Sequence, residues 1–240
     1  MGSLCVRCVP VRTNHCNCYL LIVSMVPIAH IETPFKTKFG VPRQSGLVEC
    51  EARVVFESEF RVPEAVRGLE EFDYLWLIWK FHLAEREGWS PTVRPPRLGG
   101  NKRVGVFATR SPFRPNPIGL SCVRLLRIES GPVLVIQGAD LVDGTPILDI
   151  KPYLPYTDSH PEARSGFAPD APAAALSVED PDGVLAPLPA DLREALCQSL
   201  AQDPRPHYQD DADRIYAMLF DRWEVRFCVK DNKLTIISLH

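Results

Sequence analysis

The first segment with side chains suited to binding an anion is residues 94–103 (RPPRLGGNKR). Its four cationic residues flank the paired Gly99 and Gly100, where the backbone could approach a ligand closely because no Cβ intervenes. No acidic residue occurs between Gly88 and Ile128, although eight arginines and lysines do. This asymmetry, in a chain with a net charge of −3, favours a polyanionic partner. The alternative is a solvated loop with distant counter-charges.

The second such segment is residues 108–119 (ATRSPFRPNPIG). Three prolines within six residues force an extended backbone and present Arg110, Arg114 and Asn116 outward. Proline also limits the unfolded ensemble, so such a loop loses less entropy when it becomes ordered. A rigid cationic loop of this kind indicates a site rather than a tether.

A third segment concentrates carboxylates. Residues 140–153 (DLVDGTPILDIKPY) place Asp140, Asp143 and Asp149 around a turn at Gly144. One interpretation is an Asp-Gly turn whose carboxylates accept hydrogen bonds from nearby amides. A divalent-cation site is the other, but no histidine lies close and the spacing is looser than such sites have. We predict no metal here.

The elements that must position these segments are mainly β. The predicted strands are residues 28–31, 50–56, 74–83, 104–108, 120–128, 133–137 and 147–150. Residues 74–83 (YLWLIWKFHL) are typical of a buried central strand, in which Trp76 and Trp79 belong to the core. Only one short helix, at 63–69 with proline in its first turn, interrupts the strands. Because no strand-linked G-x-G-x-x-G occurs, we predict a barrel or sandwich and not a Rossmann fold.

The remaining chain is predicted to form a small α+β appendage, residues 189–240. Helices are expected at 190–201, after Pro189, and at 212–219, followed by a hairpin of strands 223–229 and 234–238. Residues 160–188, rich in Ala, Pro, Asp and Ser, are interpreted as a linker. The predicted barrel domain is then residues 26–159.

Residues 1–25 are predicted to be an N-terminal extension, either disordered or not native, with Met25 as the native start. The apolar segment 19–29 has too short a core for a signal peptide, and no run of about 20 apolar residues predicts a membrane span. The spacing of Cys5, Cys8, Cys16 and Cys18 does not favour zinc. The other four cysteines are scattered among apolar neighbours, as buried thiols are, so we expect a cytoplasmic protein.

Four longer motifs carry a specific resemblance. PRQSGLV at 42–48, RPPRLGGN at 94–101, VGVFATRSPFRPNPIGLS at 104–121 and DLVDGTPILDIKPYLPY at 140–156 resemble the TrmO (TsaA, YaeB-like) family. The match covers roughly residues 28–159. The later segment Asp203-Pro204-Arg205-Pro206-x-Tyr208 resembles the appendage of the bacterial members.

The resemblance implies a single-barrel methyltransferase that binds S-adenosylmethionine without a Rossmann fold, near the interface of a homodimer. It implies methylation of N6 of threonylcarbamoyladenosine, beside the anticodon of threonine tRNA. The expected partners are therefore the tRNA anticodon arm and a second copy, not a membrane or DNA. The cofactor-binding residues that it implies are Pro42, Arg43, Gln44, His82, Leu83, Arg110, Leu120, Asp140, Leu141, Asp143, Gly144 and Thr145. Leu83 departs from the family, in which a glutamine is expected after the histidine.

The chemistry of these residues is compatible with that reaction. Arg110 could bind the cofactor carboxylate bidentately, and Asp140 or Asp143 could accept from its amine or ribose. Methyl transfer chiefly needs alignment, and an acceptor for the N6 proton would help. The catalytic candidates are Asp149 and Tyr153; sequence alone does not choose between them. Without the resemblance, His82 would be interpreted as a core histidine.

The residues predicted to contact tRNA are cationic or aromatic. Phe113, held between prolines, is the candidate for base stacking. Arg205 and Tyr208 could add a contact from the appendage; the alternative for them is a rigid turn. The residues predicted to bind phosphates are Arg94, Arg97, Lys102, Arg103 and Arg114. Two other functions stay open: a methyltransferase of this fold with a small-molecule acceptor, and an RNA-binding module without turnover.

Overall fold

The computed structural model describes residues 8–9, 20–21, 25–168, 175–205 and 211–240. Two short strands near the amino terminus, β1 (Cys8–Val9) and β2 (Leu20–Leu21), pair antiparallel. The rest of the predicted extension before Met25 lies outside the described residues, so the prediction for residues 1–25 stays a prediction.

Six antiparallel strands form a closed barrel. They are β3 (Ala29–Glu32), β4 (Glu51–Phe56), β5 (Tyr74–Lys80), β8 (Ile118–Glu129), β9 (Val133–Gln137) and β10 (Pro146–Pro152). The strand order is β10-β3-β4-β9-β8-β5, and the barrel is closed because β10 pairs with both β3 and β5. The predicted mainly β, barrel-type fold is confirmed.

The alternation of side chains along β5 decides which of them fill the barrel. Leu75, Leu77 and Trp79 point inward and are buried, whereas Tyr74 lies exposed on the outside. Successive side chains of a strand point to opposite faces, so an almost wholly apolar strand also places Trp76 and Ile78 on the outer face. Ile31 of β3 and Ile147 of β10 belong to the same buried cluster inside the barrel.

Of the predicted elements in the barrel domain, those at 63–69, 74–83 and 104–108 differ in type over part or all of their length. The strand predicted at 74–83 stops at Lys80 and is followed by a 3-10 helix, His82–Ala84. The strand predicted at 104–108 is wrong beyond Gly105, because the Val106 carbonyl accepts from Thr109 and closes a 3-10 helix, Val106–Ala108. The predicted helix at 63–69 is instead two 3-10 turns, Pro63–Val66 and Leu69–Glu71.

Residues 89–107, which lie between the barrel strands β5 and β8 in the sequence, form an arm. Strands β6 (Thr92–Val93) and β7 (Val104–Gly105) pair antiparallel, and the Val106 N–H donates to the Pro91 carbonyl at 2.9 Å. The connection at the tip contains a 3-10 helix, Pro96–Leu98, and the cationic segment 94–103. The ribbon thus places four cations at one end and residues 89 and 107 at the other.

The carboxyl-terminal part is a four-stranded sheet with one long helix. Short helix α1 (Pro155–Asp158) follows the barrel, and the order of the sheet is β11-β14-β13-β12. The predicted helix at 212–219 is wrong, since Tyr216–Phe220 pairs antiparallel with β13 as a strand. The elements are β11 (Ser177–Glu179), α2 (Ala190–Ala201), β12 (Tyr216–Phe220), β13 (Trp223–Lys230) and β14 (Lys233–Leu239).

The segment between β3 and β4 packs on this carboxyl-terminal sheet. Phe35 lies edge-on to Phe220 with ring centroids 5.4 Å apart, and Val48 and Cys50 belong to the same buried cluster. The Ser199 hydroxyl donates to the Gly40 carbonyl at 2.6 Å. The segment that carries residues 42–44 therefore packs against the carboxyl-terminal part.

Candidate functional site

A cavity of about 520 Å³ opens where five segments of the barrel domain meet. We call it the site cavity. Its walls come from the loop before β4, the turn after β5, the loop 109–114, the start of β8 and the connection between β9 and β10. The predicted cofactor residues that line it are Pro42, Arg43, Gln44, His82, Leu83, Arg110, Leu120, Asp140 and Thr145.

The floor of the site cavity is a hydrogen-bonded relay. Trp79 Nε1 donates to Ser121 Oγ at 2.9 Å, and Ser121 Oγ donates to Asp140 Oδ1 at 2.5 Å. The indole lies directly over Gly119: a Cβ added there would be 2.2 Å from the Trp79 ring. Glycine at 119 therefore lets the indole, and through it Asp140, take this position.

Asp140 is the one partly buried carboxylate of the cavity wall. Burial raises its pKa, because desolvation penalises the charged form more than the Ser121 hydrogen bond and the charge of Arg110 favour it. A cationic ligand would supply the missing positive charge. This carboxylate is therefore suited to an amine or to hydroxyl donors.

Arg110 faces the same cavity from the opposite loop. One of its guanidinium nitrogens donates to Gln44 Oε1 at 2.5 Å, which ties loop 109–114 to loop 42–44. The side chain is exposed enough to present its remaining donors to an anion. A cation and an anion on facing walls match a zwitterionic amino-acid group.

The other predicted cofactor residues of the 140–145 turn build the turn and do not line the cavity. Leu141 is buried in the barrel core. Asp143 accepts from the Thr33 amide at 2.9 Å and pairs with Lys36 at 2.9 Å, so both its oxygens are engaged. The Gly144 amide donates to the Ile31 carbonyl, with φ at +75°. For Asp143, the interpretation as a turn carboxylate fits better than a ligand role.

His82 and Leu83 lie in the 3-10 helix after β5. His82 is half-buried on the cavity wall, and so it is not a core histidine. Leu83 is 48% exposed, and its carbonyl accepts a hydrogen bond from the Lys38 ammonium. Position 83 therefore acts on the loop 33–44 through its backbone.

The two catalytic candidates do not line the site cavity. Asp149 is paired with Lys151 at 2.9 Å. Tyr153 packs against Trp76, with ring centroids 5.8 Å apart, and Trp76 does line the cavity. Within one chain, Tyr153 is thus one side chain removed from the cavity, and Asp149 lies on β10 outside its lining.

The predicted phosphate-binding residues divide into two groups. Arg94, Arg97, Lys102 and Arg103 are exposed at the tip of the arm. Arg114 is partly buried and donates to the Thr109 carbonyl at 2.7 Å, so it holds its own loop.

The remaining predicted RNA contacts lie apart from the arm tip. Phe113 is 39% exposed, and the Arg86 guanidinium lies 3.5 Å from its ring centroid. Arg205 is nearly buried and bonds both oxygens of Asp203, at 2.8 and 2.9 Å; this arrangement favours the rigid turn. Tyr208 lies outside the described residues.

Sequence reasoning missed several residues of the site. Lys38, Ser121 and Trp76 were not predicted to belong to it, although Ser121 ends one of the quoted motifs. A serine inside an apolar strand was the available signal, since a buried hydroxyl needs a partner. Lys38 and Trp76 gave none, because only the fold brings them to the cavity.

Within 25–168, 175–205 and 211–240, no group of three or more His, Cys, Asp or Glu side chains is arranged to hold a metal ion. In the same part of the chain, no helix has both the length and the apolar character needed to cross a bilayer.

Two family models match the chain: tRNA-methyltransferase O N-terminal domain over residues 30–159, and TrmO C-terminal domain over residues 177–240. A tRNA (adenine(37)-N6)-methyltransferase of Escherichia coli (strain K12) is 43% identical over 224 residues, which cover 88% of this chain and 95% of the relative. An S-adenosylmethionine-dependent methyltransferase, RcsF, of Pseudomonas aeruginosa is 46% identical, covering 78% and 83%. A crystal structure of TrmO from P. aeruginosa aligns with a TM-score of 0.74 at 34% identity, covering 92% and 98%.

Proposed function

This chain belongs to the tRNA-methyltransferase O family, and from that premise we propose that it methylates N6 of threonylcarbamoyladenosine beside the anticodon of threonine tRNA. The coarser activity is that of an S-adenosylmethionine-dependent tRNA (adenine-N6)-methyltransferase acting at position 37. The finer proposal concerns the threonylcarbamoyl group and the threonine tRNA.

The site cavity is the single observation that carries the proposal. Its volume of about 520 Å³ lies within the range of ligand pockets, roughly 300 to 1,000 Å³. Asp140 and Arg110 supply opposite charges for the amino and carboxylate groups of the cofactor's methionine portion. We propose that Pro42, Arg43, Gln44, His82, Leu83, Leu120 and Thr145 complete its contacts. S-adenosylmethionine supplies the methyl group when bound.

We propose that these residues act mainly by positioning. A rigid cavity that aligns nucleophile, methyl carbon and sulfur converts a bimolecular encounter into an oriented one. The carbamoylated N6 is amide-like and needs an acceptor for its proton. Asp149 and Tyr153 remain the proposed acceptors, and both lie on the side of the barrel that carries Trp76.

That side of the barrel supports a homodimer. The outer face of β5 and β8 presents Trp76, Ile78 and Leu120, with Leu120 56% exposed, and Tyr156 of α1 is 86% exposed. A second copy covering this face would bury the apolar surface and bring Asp149 and Tyr153 against a neighbouring site cavity. Sedimentation of the purified protein tests this, and a monomer at micromolar concentration contradicts it.

The tip of the arm is the proposed phosphate-binding surface. Reversing the charge at Arg97, Lys102 and Arg103 to glutamate should abolish binding of threonine tRNA, because phosphate contacts dominate such affinity. Cofactor affinity should not change, since none of the three lines the site cavity. A matched control reverses Arg67, Arg222 and Lys230, which are exposed elsewhere. Equal loss in both triple variants would point to net charge and not to a site.

The test of the function is mass spectrometry of nucleosides from threonine tRNA that carries threonylcarbamoyladenosine. The tRNA is incubated with the protein and S-adenosylmethionine, beside a sample without protein. A gain of one methyl group on that nucleoside is expected. Methylation of unmodified adenosine instead would overturn the threonylcarbamoyl proposal, and tRNA binding without S-adenosylhomocysteine would indicate a module without turnover. We place this reaction in the cytoplasm, because tRNA modification is the activity of the relatives.

A further inference from the structure

A second cavity, of about 630 Å³, lies next to the site cavity. The two share Ala84, Phe113 and Arg114 in their linings, so Phe113 and Arg114 form part of a common wall. Trp89 lines the second cavity and nothing in the cofactor chemistry uses it. The site cavity thus has a neighbour with aromatic and cationic walls and no assigned ligand.

Trp89 of this second cavity contacts Phe107, which lies outside the cavity lining, and both rings are exposed. Trp89 is 55% exposed and Phe107 is 72% exposed, and their ring centroids are 6.1 Å apart with planes inclined by 33°. Trp89 precedes β6 and Phe107 lies in the 3-10 helix that follows β7, so the two rings flank the ribbon at the base of the arm. Large exposed aromatic rings in contact with each other indicate a surface that a partner covers.

Cations complete the cluster. The Arg86 guanidinium lies over the Phe113 ring at 3.5 Å, and Arg114 lies 6.0 Å from the Phe107 centroid. Of the two carboxylates in the lining, Glu85 is paired with Lys80. Aromatic faces interleaved with guanidinium groups are the surface that stacks nucleic-acid bases while attracting the backbone.

We propose that Trp89 and Phe107 form a stacking platform for an unpaired RNA base next to the adenosine that is methylated. The inference rests on the proposed function, because the target base must enter the site cavity beside the common wall. A base that leaves the stack of the anticodon loop exposes the faces of its neighbours. One such neighbour stacks on the aromatic pair beside the second cavity, while the arm tip holds the phosphates beyond it.

The ligand class is a single-stranded nucleotide of any sequence, since every base has a π-face. This distinguishes the platform from the arm tip: stacking releases no counterions, so it leaves the salt dependence of binding unchanged. Loss of the tip cations lowers that dependence. The two contributions can therefore be separated in one titration.

The experiment measures binding of a synthetic threonine tRNA anticodon stem-loop to the full chain by fluorescence anisotropy, at several salt concentrations. Trp89→Ala with Phe107→Ala should raise the Kd for RNA by about 5- to 100-fold, the loss of a stacked base, with an unchanged salt slope. Trp89→Phe, in an otherwise unaltered chain, should keep most of the affinity. The Kd for S-adenosylmethionine should change by less than about twofold, because neither side chain lines the site cavity.

Phe167→Ala is the matched control, since Phe167 is exposed and lines neither cavity. If the wild-type protein binds and methylates the RNA but the double variant does so equally well, the platform is wrong and the proposed function stands. A parallel loss of cofactor binding would make Trp89 and Phe107 structural and also overturn the platform. If the wild-type protein neither binds nor methylates the RNA, both the proposed function and the platform are wrong.

Discussion

At the scale of single residues, the burial of the Asp140 carboxylate lowers the stability of the cofactor-free protein, and a bound ligand offsets this cost. Its pKa is raised by burial, so in the cofactor-free protein the charged form destabilises the fold once the pH exceeds that raised pKa. Below pH 3.8, the ordinary pKa of an aspartate, the Asp140 carboxyl is neutral and this loss of stability is absent. A bound cationic ligand would favour the charged form of this carboxylate and so offset the cost of its burial.

We predict that Asp140→Asn raises the Tm of the cofactor-free protein at pH 7. The gain should shrink as the pH falls and vanish near pH 3.8, the unperturbed pKa, because wild type is then protonated too. The same change should weaken S-adenosylmethionine binding by about 10- to 100-fold, the value of a hydrogen bond to a charged group. Differential scanning fluorimetry across pH and isothermal titration measure both. A variant less stable than wild type at pH 7 would contradict the burial argument.

Leu83 gives a second prediction at this scale. Because position 83 is engaged through its carbonyl by Lys38, Leu83→Gln should leave the Kd for S-adenosylmethionine within about threefold of wild type. His82→Ala, one residue earlier on the cavity wall, is the comparison and should weaken binding more. A gain of tenfold or more from glutamine would show that the side chain takes part after all. Equilibrium dialysis with labelled cofactor is sufficient.

At the scale of secondary structure, the antiparallel pairing of β5 with β8, which sets Trp79 opposite Gly119, controls the floor of the site cavity. Gly119→Ala would place a Cβ 2.2 Å from the Trp79 ring, so the indole must move and break the relay through Ser121 to Asp140. We expect a loss of about 1–3 kcal/mol in unfolding free energy, typical of overpacking, together with weaker cofactor binding. Urea unfolding measures the first.

Gly105→Ala is the matched control, because no atom lies within 4 Å of the Cβ that it would add. It should change stability little and leave cofactor binding unchanged. If both alanine variants behave alike, the packing of Trp79 on Gly119 does not hold the relay.

The strands of the barrel could be predicted from sequence because their apolar residues follow the interior. Residues 133–137 were predicted with the bounds that β9 has, and the long apolar segment at β5 was recognised as a strand. Residues 212–219 were predicted as a helix, but Tyr216–Phe220 is a strand, and its five apolar or aromatic side chains do not alternate with polar ones. Its pairing with β13 decides the strand, and that contact is not local.

The site could be predicted in part, through the motifs. Nine of the twelve expected cofactor residues line the cavity, since each motif supplies the loop that lines a wall. Asp143 does not line the cavity, and sequence alone cannot tell a carboxylate that binds a ligand from one that accepts from Thr33 and pairs with Lys36. Trp89 and Phe107 were missed because only the pairing of β6 with β7 brings them together.

At the scale of the whole molecule, the carboxyl-terminal part contacts the wall of the site cavity at Arg43. Arg43 donates to the Asp203 carbonyl at 3.1 Å, and Asp203 has a left-handed φ of +51° stabilised by its ion pair with Arg205. Burial acts to raise the pKa of Asp203, but hydrogen bonds from Arg205 lower it overall. Its stabilising contribution is therefore present above the ordinary value of 3.8 and is lost as the pH falls through the lowered pKa.

We predict that Arg205→Ala costs about 1–3 kcal/mol at pH 7 and weakens cofactor binding severalfold through Arg43. The stability difference from wild type should narrow between pH 7 and pH 3, as the pH falls towards the lowered pKa of Asp203. Asp203→Asn, which tolerates a left-handed backbone, should reproduce most of the loss. Arg226→Ala, which removes an exposed pair with Glu224, should cost little. Thermal unfolding at both pH values distinguishes the two pairs.

The closure of the barrel also requires two strands that the ribosome synthesises far apart in time. The strand β3 emerges early but pairs with β10, about 120 residues later in the chain. At roughly 5 to 20 residues per second, the nascent strand waits on the order of 10 s for that partner. During this interval Ala29 to Glu32 offer an unpaired edge, the kind of surface on which nascent chains aggregate. A ribosome that pauses between β9 and β10 would lengthen the exposure, so the codons that encode this short connection bear on the yield of folded protein.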